Sequence, residues 1–279
     1  MVTTEGPGEG EIRILFLGDV VGEPGRKAVI QNLAAIRGAW GIDFVIVNGE
    51  NSAGGRGITP KISIDLLRAG VAVITTGDHV WDQKEIIEYF PTEPRLLRPL
   101  NYPDGAPGAG SVVLETKKGK VGVLLVQART FTRPPLENPF LHLENEVRRL
   151  RDEDTRMLFV DVHGETTSEK IALARSVDGL VSAVVGTHTH VQTADERIFP
   201  GGTAFLCDAG MCGAIESILG REIQPVVYRF RTGLPERFPV AKGRVRLCGA
   251  IVDIRQTDGR ATRIERFAED CDPEGLLEP

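Results

Sequence analysis

Val184-Val185-Gly186-Thr187-His188-Thr189-His190-Val191-Gln192-Thr193-Ala194-Asp195 is the stretch from which the chain is best read. A small apolar run, Ser182 to Gly186, ends in two histidines spaced i, i+2. In extended backbone, side chains two apart point to the same side. Two imidazoles presented together at the end of a buried strand suit a metal site. Taken alone, they fit equally well as two polar loop residues with satisfied ring nitrogens, and the rest of the sequence decides between these.

Other apolar runs end in the same way. Residues 12–17 lead into Gly18-Asp19, residues 44–47 into Asn48-Gly49-Glu50-Asn51, residues 71–75 into Gly77-Asp78-His79, and residues 157–162 into His163-Gly164-Glu165. Helix signals lie between them. The spacing of Val29, Ile30, Leu33, Ala34 and Ile36 predicts a helix over 26–38, broken by Gly38 and Gly41. Thr59-Pro60 reads as an N-cap followed by proline at the first helical position, with Gly70 closing that helix. Asp82 and Glu85, three apart before Ile86-Ile87, read as a capping box. Helices are expected over 140–151 and 168–177, and a hairpin over 112–127 turning at Lys117-Lys118-Gly119-Lys120. The proline-rich segments 91–110 and 132–139 read as ordered loops. Strands are expected over 204–206, 245–254 and 262–267.

Strands alternating with helices argue for an α/β fold, and the strand-rich later part for mixed rather than purely parallel sheets. In open α/β sheets, ligands bind outside the carboxyl ends of the strands. The polar residues that end these runs should therefore converge on one edge, which is a stronger functional signal than any single motif.

Composition narrows the class. The chain has 279 residues, 41% hydrophobic and 26% charged, ample for a sizeable core. A net charge of −6 with 6% aromatics supplies neither the basic stripe nor the stacking platform of a general nucleic-acid binder. A local cationic pocket for one small phosphorylated ligand is compatible with it. Cys207, Cys212, Cys248 and Cys271 form no Cys-x-x-Cys pair, which argues for a reducing compartment and against a thiolate zinc site. Met1 to Gly10 lacks a basic then apolar signal pattern, and no apolar run approaches the length of a membrane span. The expectation is a cytoplasmic protein with a flexible tail over 1–10 and one domain over 11–279.

Asp19, Glu50, Asn51, Asp78, His79, His163, His188 and His190 offer carboxylates, an amide oxygen and imidazoles, without a thiolate. That mixture suits Mn, Fe, Zn or Co rather than a calcium cage or a copper–thiolate site. The candidates are too many for one tetrahedral ion and suit two ions sharing a bridging carboxylate. Two ions about 3.5–4 Å apart can bind a phosphoryl group and activate water. Arg56 and Arg129 are candidate phosphate contacts, since guanidinium matches phosphate oxygens in a bidentate way. Trp81 and Phe131 could floor a base pocket or simply pack. His142 lies in a polar helix and carries no assigned role.

The motifs Gly18-Asp19-Val20-Val21-Gly22, Asn48-Gly49-Glu50-Asn51, Gly77-Asp78-His79-Val80-Trp81, Asp161-Val162-His163-Gly164-Glu165-Thr166-Thr167-Ser168-Glu169-Lys170 and Gly186-Thr187-His188-Thr189-His190-Val191-Gln192-Thr193-Ala194-Asp195 resemble the YmdB-like branch of the calcineurin-like metallophosphoesterases. Arg98-Pro99-Leu100-Asn101-Tyr102-Pro103 and Gln127-Ala128-Arg129-Thr130-Phe131 look like that branch too, and the match runs in order over about residues 12–267. The resemblance implies a four-layer α/β/β/α sandwich with mixed sheets. It implies two divalent or mixed-valence transition-metal ions, iron ahead of manganese, and phosphodiesterase activity on small nucleotides of the 2′,3′-cyclic class. Asp19, Glu50, Asn51 and His190 would hold one ion. Glu50 would bridge to the second, held also by Asp78, His163 and His188, with His79 as proton donor. A homo-oligomer is implied as well, with no membrane partner. Two positions depart from the wider superfamily pattern: Val21 stands where a histidine ligand is usual, as in this branch, and Asp78 where an asparagine is usual.

Rival readings follow from single motifs. A metal-dependent amidohydrolase uses His-x-His, at the first strand of a (β/α)₈ barrel. A zinc nucleobase deaminase needs Pro-Cys-x-x-Cys beside His-x-Glu, and the cysteines here are wrongly spaced for it. From another class, the fold could be kept by a regulatory or RNA-binding protein that has lost turnover.

Overall fold

The computed structural model describes residues 6–278. In chain order the regular elements are β1 (Glu11–Leu17), β2 (Asp19–Val20), α1 (Gly22–Trp40), β3 (Phe44–Asn48), α2 (Pro60–Arg68), β4 (Val73–Thr75), α3 (Ile86–Tyr89), β5 (Ser111–Thr116), β6 (Gly119–Gln127), α4 (Pro139–Asp152), β7 (Met157–His163), α5 (Thr167–Ser176), β8 (Ala183–Thr187), β9 (Arg197–Ile198), β10 (Ala204–Leu206), β11 (Met211–Ala214), α6 (Ile223–Thr232), β12 (Val245–Arg255) and β13 (Ala261–Cys271). They build two sheets. One has the order β2-β11-β12-β1-β3-β4, with β13 paired to β12; the other has the order β5-β6-β7-β8-β10-β9. Both are mixed: β1 runs parallel to β3 and antiparallel to β12, while β7 lies parallel to β6 and β8 beside the antiparallel β5–β6 hairpin.

Alternation along the strands builds the layers. Leu15 and Leu17 of β1 and Val45 and Val47 of β3 pack with Val29, Leu33, Ile36 and Leu66 of α1 and α2. Their neighbours Ile14, Phe16, Phe44 and Ile46 face the other way and meet Val123, Leu125, Phe159 and Val185 of the second sheet. On the far side, Leu158, Val160 and Val162 of β7 pack under Leu143, Val147, Leu150 and Leu173 of α4 and α5. The result is helix, sheet, sheet, helix. It is the four-layer α/β/β/α sandwich with mixed sheets expected from the sequence, and it removes the amidohydrolase alternative, which needs a closed (β/α)₈ barrel.

The inward-facing rows change character at their carboxyl ends. By the period of two, Asn48, Thr75, Asp161, His163 and Thr187 continue the apolar inner rows of β3, β4, β7 and β8. All are fully buried. The Asp161 carboxylate accepts hydrogen bonds from Thr75 Oγ1 (2.6 Å) and Asn48 Nδ2 (3.1 Å) of one sheet and from Thr187 Oγ1 (2.7 Å) of its own. This seam ties the sheets together directly beneath the candidate site.

Local signals largely place the elements, with some corrections. Thr59 Oγ1 caps α2 by accepting from Ile62 N, as expected. Helix α1 starts at Gly22 and runs through Gly38; Gly41, at φ 62°, ends it. The capping box does not form: α3 has no side-chain cap, and Asp82 faces His79 and Arg56 instead. Helix α6 carries no sequence signal because it buries only Val226 and leaves Ile223, Tyr228 and Phe230 exposed. Of the expected tail, residues 6–10 are coil and turn leading into β1, and residues 1–5 lie outside the described residues. Among the described residues no helix is long and apolar enough to cross a membrane.

Phe159 and Phe16 meet between the two sheets with ring centroids 5.1 Å apart. Phe159→Ala is expected to destabilise the fold by about 3–5 kcal/mol, because neighbours held in two sheets cannot collapse into the cavity. The drop should appear as a lower urea midpoint at unchanged slope.

Candidate metal centre

Two groups of ligand-type atoms lie at the carboxyl ends of the strands, each within a 4.8 Å span: Glu50, Asp78, His163 and His188 form one, and Asp19, Glu50 and His190 the other. Glu50 belongs to both. In the first group His163 Nε2 lies 3.0 Å from Asp78 Oδ1, 3.1 Å from Glu50 Oε2 and 3.1 Å from His188 Nδ1. In the second, His190 Nε2 lies 3.9 Å from Asp19 Oδ1.

Hydrogen bonds on the far side of each ring fix which nitrogen faces inward. The Thr187 hydroxyl donates to Asp161, so its oxygen is left to accept from His163 Nδ1 at 2.9 Å. The lone pair of His163 Nε2 then points at the carboxylates. His188 Nε2 meets Glu165 Oε2 at 3.1 Å, and His190 Nδ1 meets the Leu219 carbonyl at 3.2 Å. For His163 and His190 these contacts take the ring proton outward and leave a lone pair inward, the arrangement in which histidines bind metals; His188 Nδ1 faces Asp78 Oδ1 at 3.3 Å.

The centre so assembled is short of positive charge. Asp19 Oδ1 is buried without a hydrogen-bond partner. Burial, reinforced by Asp208, pushes the Asp19 carboxyl up to about 7. Burial, then Asp78 and Asp19, push Glu50 well above the ordinary carboxylate range. Burial draws His163 down to about 4 and lowers His190 as well, so these rings are neutral near pH 7. Asp78 and His188 go the other way: against the effect of burial, hydrogen bonds to His163 and His188 lower the Asp78 carboxyl, and the hydrogen bond and charge of Asp78 raise His188. Buried carboxyls short of positive charge, beside imidazole nitrogens, are a donor set that fits cations. At Gly77 a Cβ would collide with Glu50 Oε2 and His163 Nε2, so only glycine lets the chain pass this close.

The remaining candidates sort by position. Asn51 Nδ2 donates to Glu50 Oε1 at 2.7 Å and meets His190 Nε2 at 3.3 Å, so its amide must turn to offer oxygen to an ion. His188 and His190 do not share one side of a strand. β8 ends at Thr187, both histidines have positive φ (99° and 65°), and each joins a different group. His79 sits at the rim with a quarter of its side chain exposed, and its Nδ1 lies 3.2 Å from Asp82 Oδ2. Arg56 Nε holds the same oxygen at 2.9 Å. Sequence reasoning misses Asp82 as a site residue; its i+3 position after His79 is the available signal. Trp81 packs edge-on against Phe90 and Tyr102. Phe131 is 85% exposed, just past the strand that pairs with His163, in a turn whose Arg129 and Thr130 amides donate to Glu169. The four cysteines are free, buried and in neither group.

Comparison with known proteins agrees with this architecture. The family model of YmdB-like proteins matches residues 15–267. The 2′,3′-cyclic-nucleotide 2′-phosphodiesterase of Bacillus subtilis (strain 168) is 45% identical over 256 residues, 92% of this chain and 96% of that one. A solved phosphatase from Mycoplasma pneumoniae superposes with a TM-score of 0.88 at 35% identity, covering 95% of this chain and 96% of that one. The 5′-nucleotidase precursor of Thermus thermophilus shares the fold, with a TM-score of 0.58 at 14% identity over 96% of this chain and 56% of that one.

Protons on Asp19 and Glu50 compete with cations, because a ligand carboxyl must ionise to bind. Mn²⁺ affinity should therefore rise as pH is raised from about 6 to about 8, through the raised Asp19 value, by up to about tenfold per unit for each proton displaced. Calorimetry in buffers of different ionisation enthalpy should find more protons released at the lower pH. An affinity independent of pH across this window would contradict the assignment of Asp19 and Glu50 as ligands.

Proposed function

The chain belongs to the YmdB-like family, and on that premise we propose that it is a dinuclear-metal phosphodiesterase acting on small nucleotides of the 2′,3′-cyclic class. The observation that carries this reading is the pair of nitrogen and oxygen ligand groups sharing Glu50. Asp19, Glu50, Asn51 and His190 would hold one ion, and Glu50, Asp78, His163 and His188 the other; the nitrogen-and-oxygen, thiolate-free set suits Mn, Fe, Zn or Co, and the family resemblance puts iron ahead of manganese. A bound metal pair supplies positive charge for the phosphoryl oxygens and lowers the pKa of water.

The chain's own residues do the rest. Glu50, the one residue common to both groups, would hold both ions, and its charge would offset their repulsion. Asp78 adds a negative charge where a neutral amide is usual, which strengthens cation binding and weakens the attraction for an anionic substrate. His79 gives its Nδ1 to Asp82, leaving Nε2 for the leaving group. Burial lowers the His79 pKa, with Arg56 adding to that, and the negative charges of Asp78 and, in smaller measure, Asp82 offset it only in part. A histidine poised between those influences can donate a proton to the departing ribose oxygen.

One observation favours a second reading, a fold kept for binding without turnover: the extra anionic charge of Asp78 beside the phosphate site. Turnover of a 2′,3′-cyclic nucleotide by the metal-loaded protein decides between them, and its absence with two ions bound would favour the binding role.

Metal analysis should find two ions per chain with no sulfur in the first coordination sphere by X-ray absorption. Glu50→Gln should impair the centre more than Asp19→Asn, since it weakens both sites at once. Retention of both ions in Glu50→Gln alongside loss of both in Asp19→Asn would move the bridge to another residue.

His79→Gln should keep both ions and lose about 10²–10⁴-fold in turnover of a cyclic nucleotide, the range for a general acid. With a p-nitrophenyl ester, whose leaving group departs without a proton, the loss should be much smaller. Asp82→Asn should follow the same pattern more weakly. Equal losses on both substrates would remove His79 from the proton-donor role.

A further inference from the structure

His188 and His190 share an unusual backbone state. Both sit in the left-handed region, at φ 99° and 65°, which non-glycine residues rarely adopt and which persists only where the surroundings enforce it. That conformation turns one ring toward each ligand group, because an extended His-x-His would send both rings to the same side.

The enforcement is visible beneath the turn. Asp208, buried just beyond β10, points its Oδ2 at Thr189 N, between the two histidines, and accepts from it at 3.1 Å. Its Oδ1 accepts from Gly210 N at 2.9 Å. Lys170 of α5, fully buried, donates from Nζ to Oδ2 at 2.8 Å. On the other side of the turn, His188 N donates to Asp19 Oδ2 at 3.1 Å. A Cβ at Gly186 would collide with the Cys207 carbonyl and would also crowd Lys170 Cδ, so the strand and the lysine pass this close only over a glycine. A buried ion pair contributes little net stability compared with apolar side chains of the same volume. What this one does supply is an acceptor locked in position under Thr189.

We propose that Lys170 and Asp208 are a positioning pair that clamps the His188-Thr189-His190 turn in its left-handed form and so sets one ligand of each metal group together. Neither residue belongs to either group. The role of the histidines rests on the dinuclear reading above; the clamp itself does not, and is read in metal-free protein.

The experiment starts with amide hydrogen exchange on the metal-free wild type. The Thr189 amide, held in a part-buried hydrogen bond to a buried carboxylate, is expected to exchange at least about a hundredfold more slowly than an open loop amide. Exchange at an open-loop rate would overturn the clamp outright. Two variants follow, Asp208→Asn and the double change Lys170→Met with Asp208→Leu. The double change removes charge and acceptor together and so leaves no unpaired buried ion; it carries the test if Asp208→Asn fails to fold. In folded variants, Thr189 protection should fall and the affinities for both Mn²⁺ ions should drop together by about tenfold or more, the usual effect of losing an outer-sphere partner. If the double variant keeps wild-type protection and wild-type affinity at both sites, the pair is only structural and the proposal fails. A drop at one site alone would refute a shared clamp. If the wild type binds fewer than two ions, the dinuclear reading falls, while the exchange rates still decide the clamp.

Discussion

The seam around Asp161 is the constraint on which the rest of the site depends. Two sheets packed face to face bury every inward row, and a polar group there must find its partners inside the protein. Asp161 finds them in both sheets, at Thr75, Asn48 and Thr187. Burial still pushes its carboxyl up to about 7, against the pull of those hydrogen bonds. The benefit falls on Thr187. With its proton committed to Asp161, its oxygen can only accept from His163, and the lone pair of His163 is then turned into the centre. An interaction between sheets thus becomes a statement about which nitrogen can bind an ion.

Much of this was legible in the sequence because strands end where their apolar runs end. The runs finishing at Asp19, Glu50, Asp78 and His163 map onto strand ends with shifts of a residue or two, and the alternation that gives each strand two faces also gives the four layers. What was not legible depends on contacts distant in the chain. Asp82 reads locally as a helix cap, and only the fold brings Arg56 to its other side. Asp161 reads as one polar interruption in a valine-rich strand, and its three partners come from three other strands. The left-handed turn at His188 and His190 contradicts the extended reading because Asp208 and Asp19 grip backbone amides there, and no local pattern announces those grips. Strands β2, β9 and β11 are too short to leave a periodic signature, and the exposed helix α6 buries only Val226.

The candidate ligands also divide by sheet. Asp19, Glu50 and Asp78 follow strands of the first sheet; His163, His188 and His190 end or follow strands of the second. The first sheet supplies the carboxylates and the second the imidazole nitrogens. Neither half alone makes a closed coordination sphere, so the angle between the sheets is itself part of the site's geometry.

That division has a consequence for how such a protein can change over generations. The candidate ligands stand on strand ends fixed by the packing of two sheets, whereas segments 91–110 and 132–139 and the turn carrying Phe131 supply none of them. The exposed Phe131 can be replaced without touching a candidate ligand, as rigid scaffolds with variable loops allow, whereas segment 91–110 is bonded to β4 at Ile74 and buries Leu96, Leu97 and Asn101. Exposed turn positions and buried strand ends are therefore under different constraints in this architecture, and the former can drift among descendants while the latter are held by the packing of both sheets.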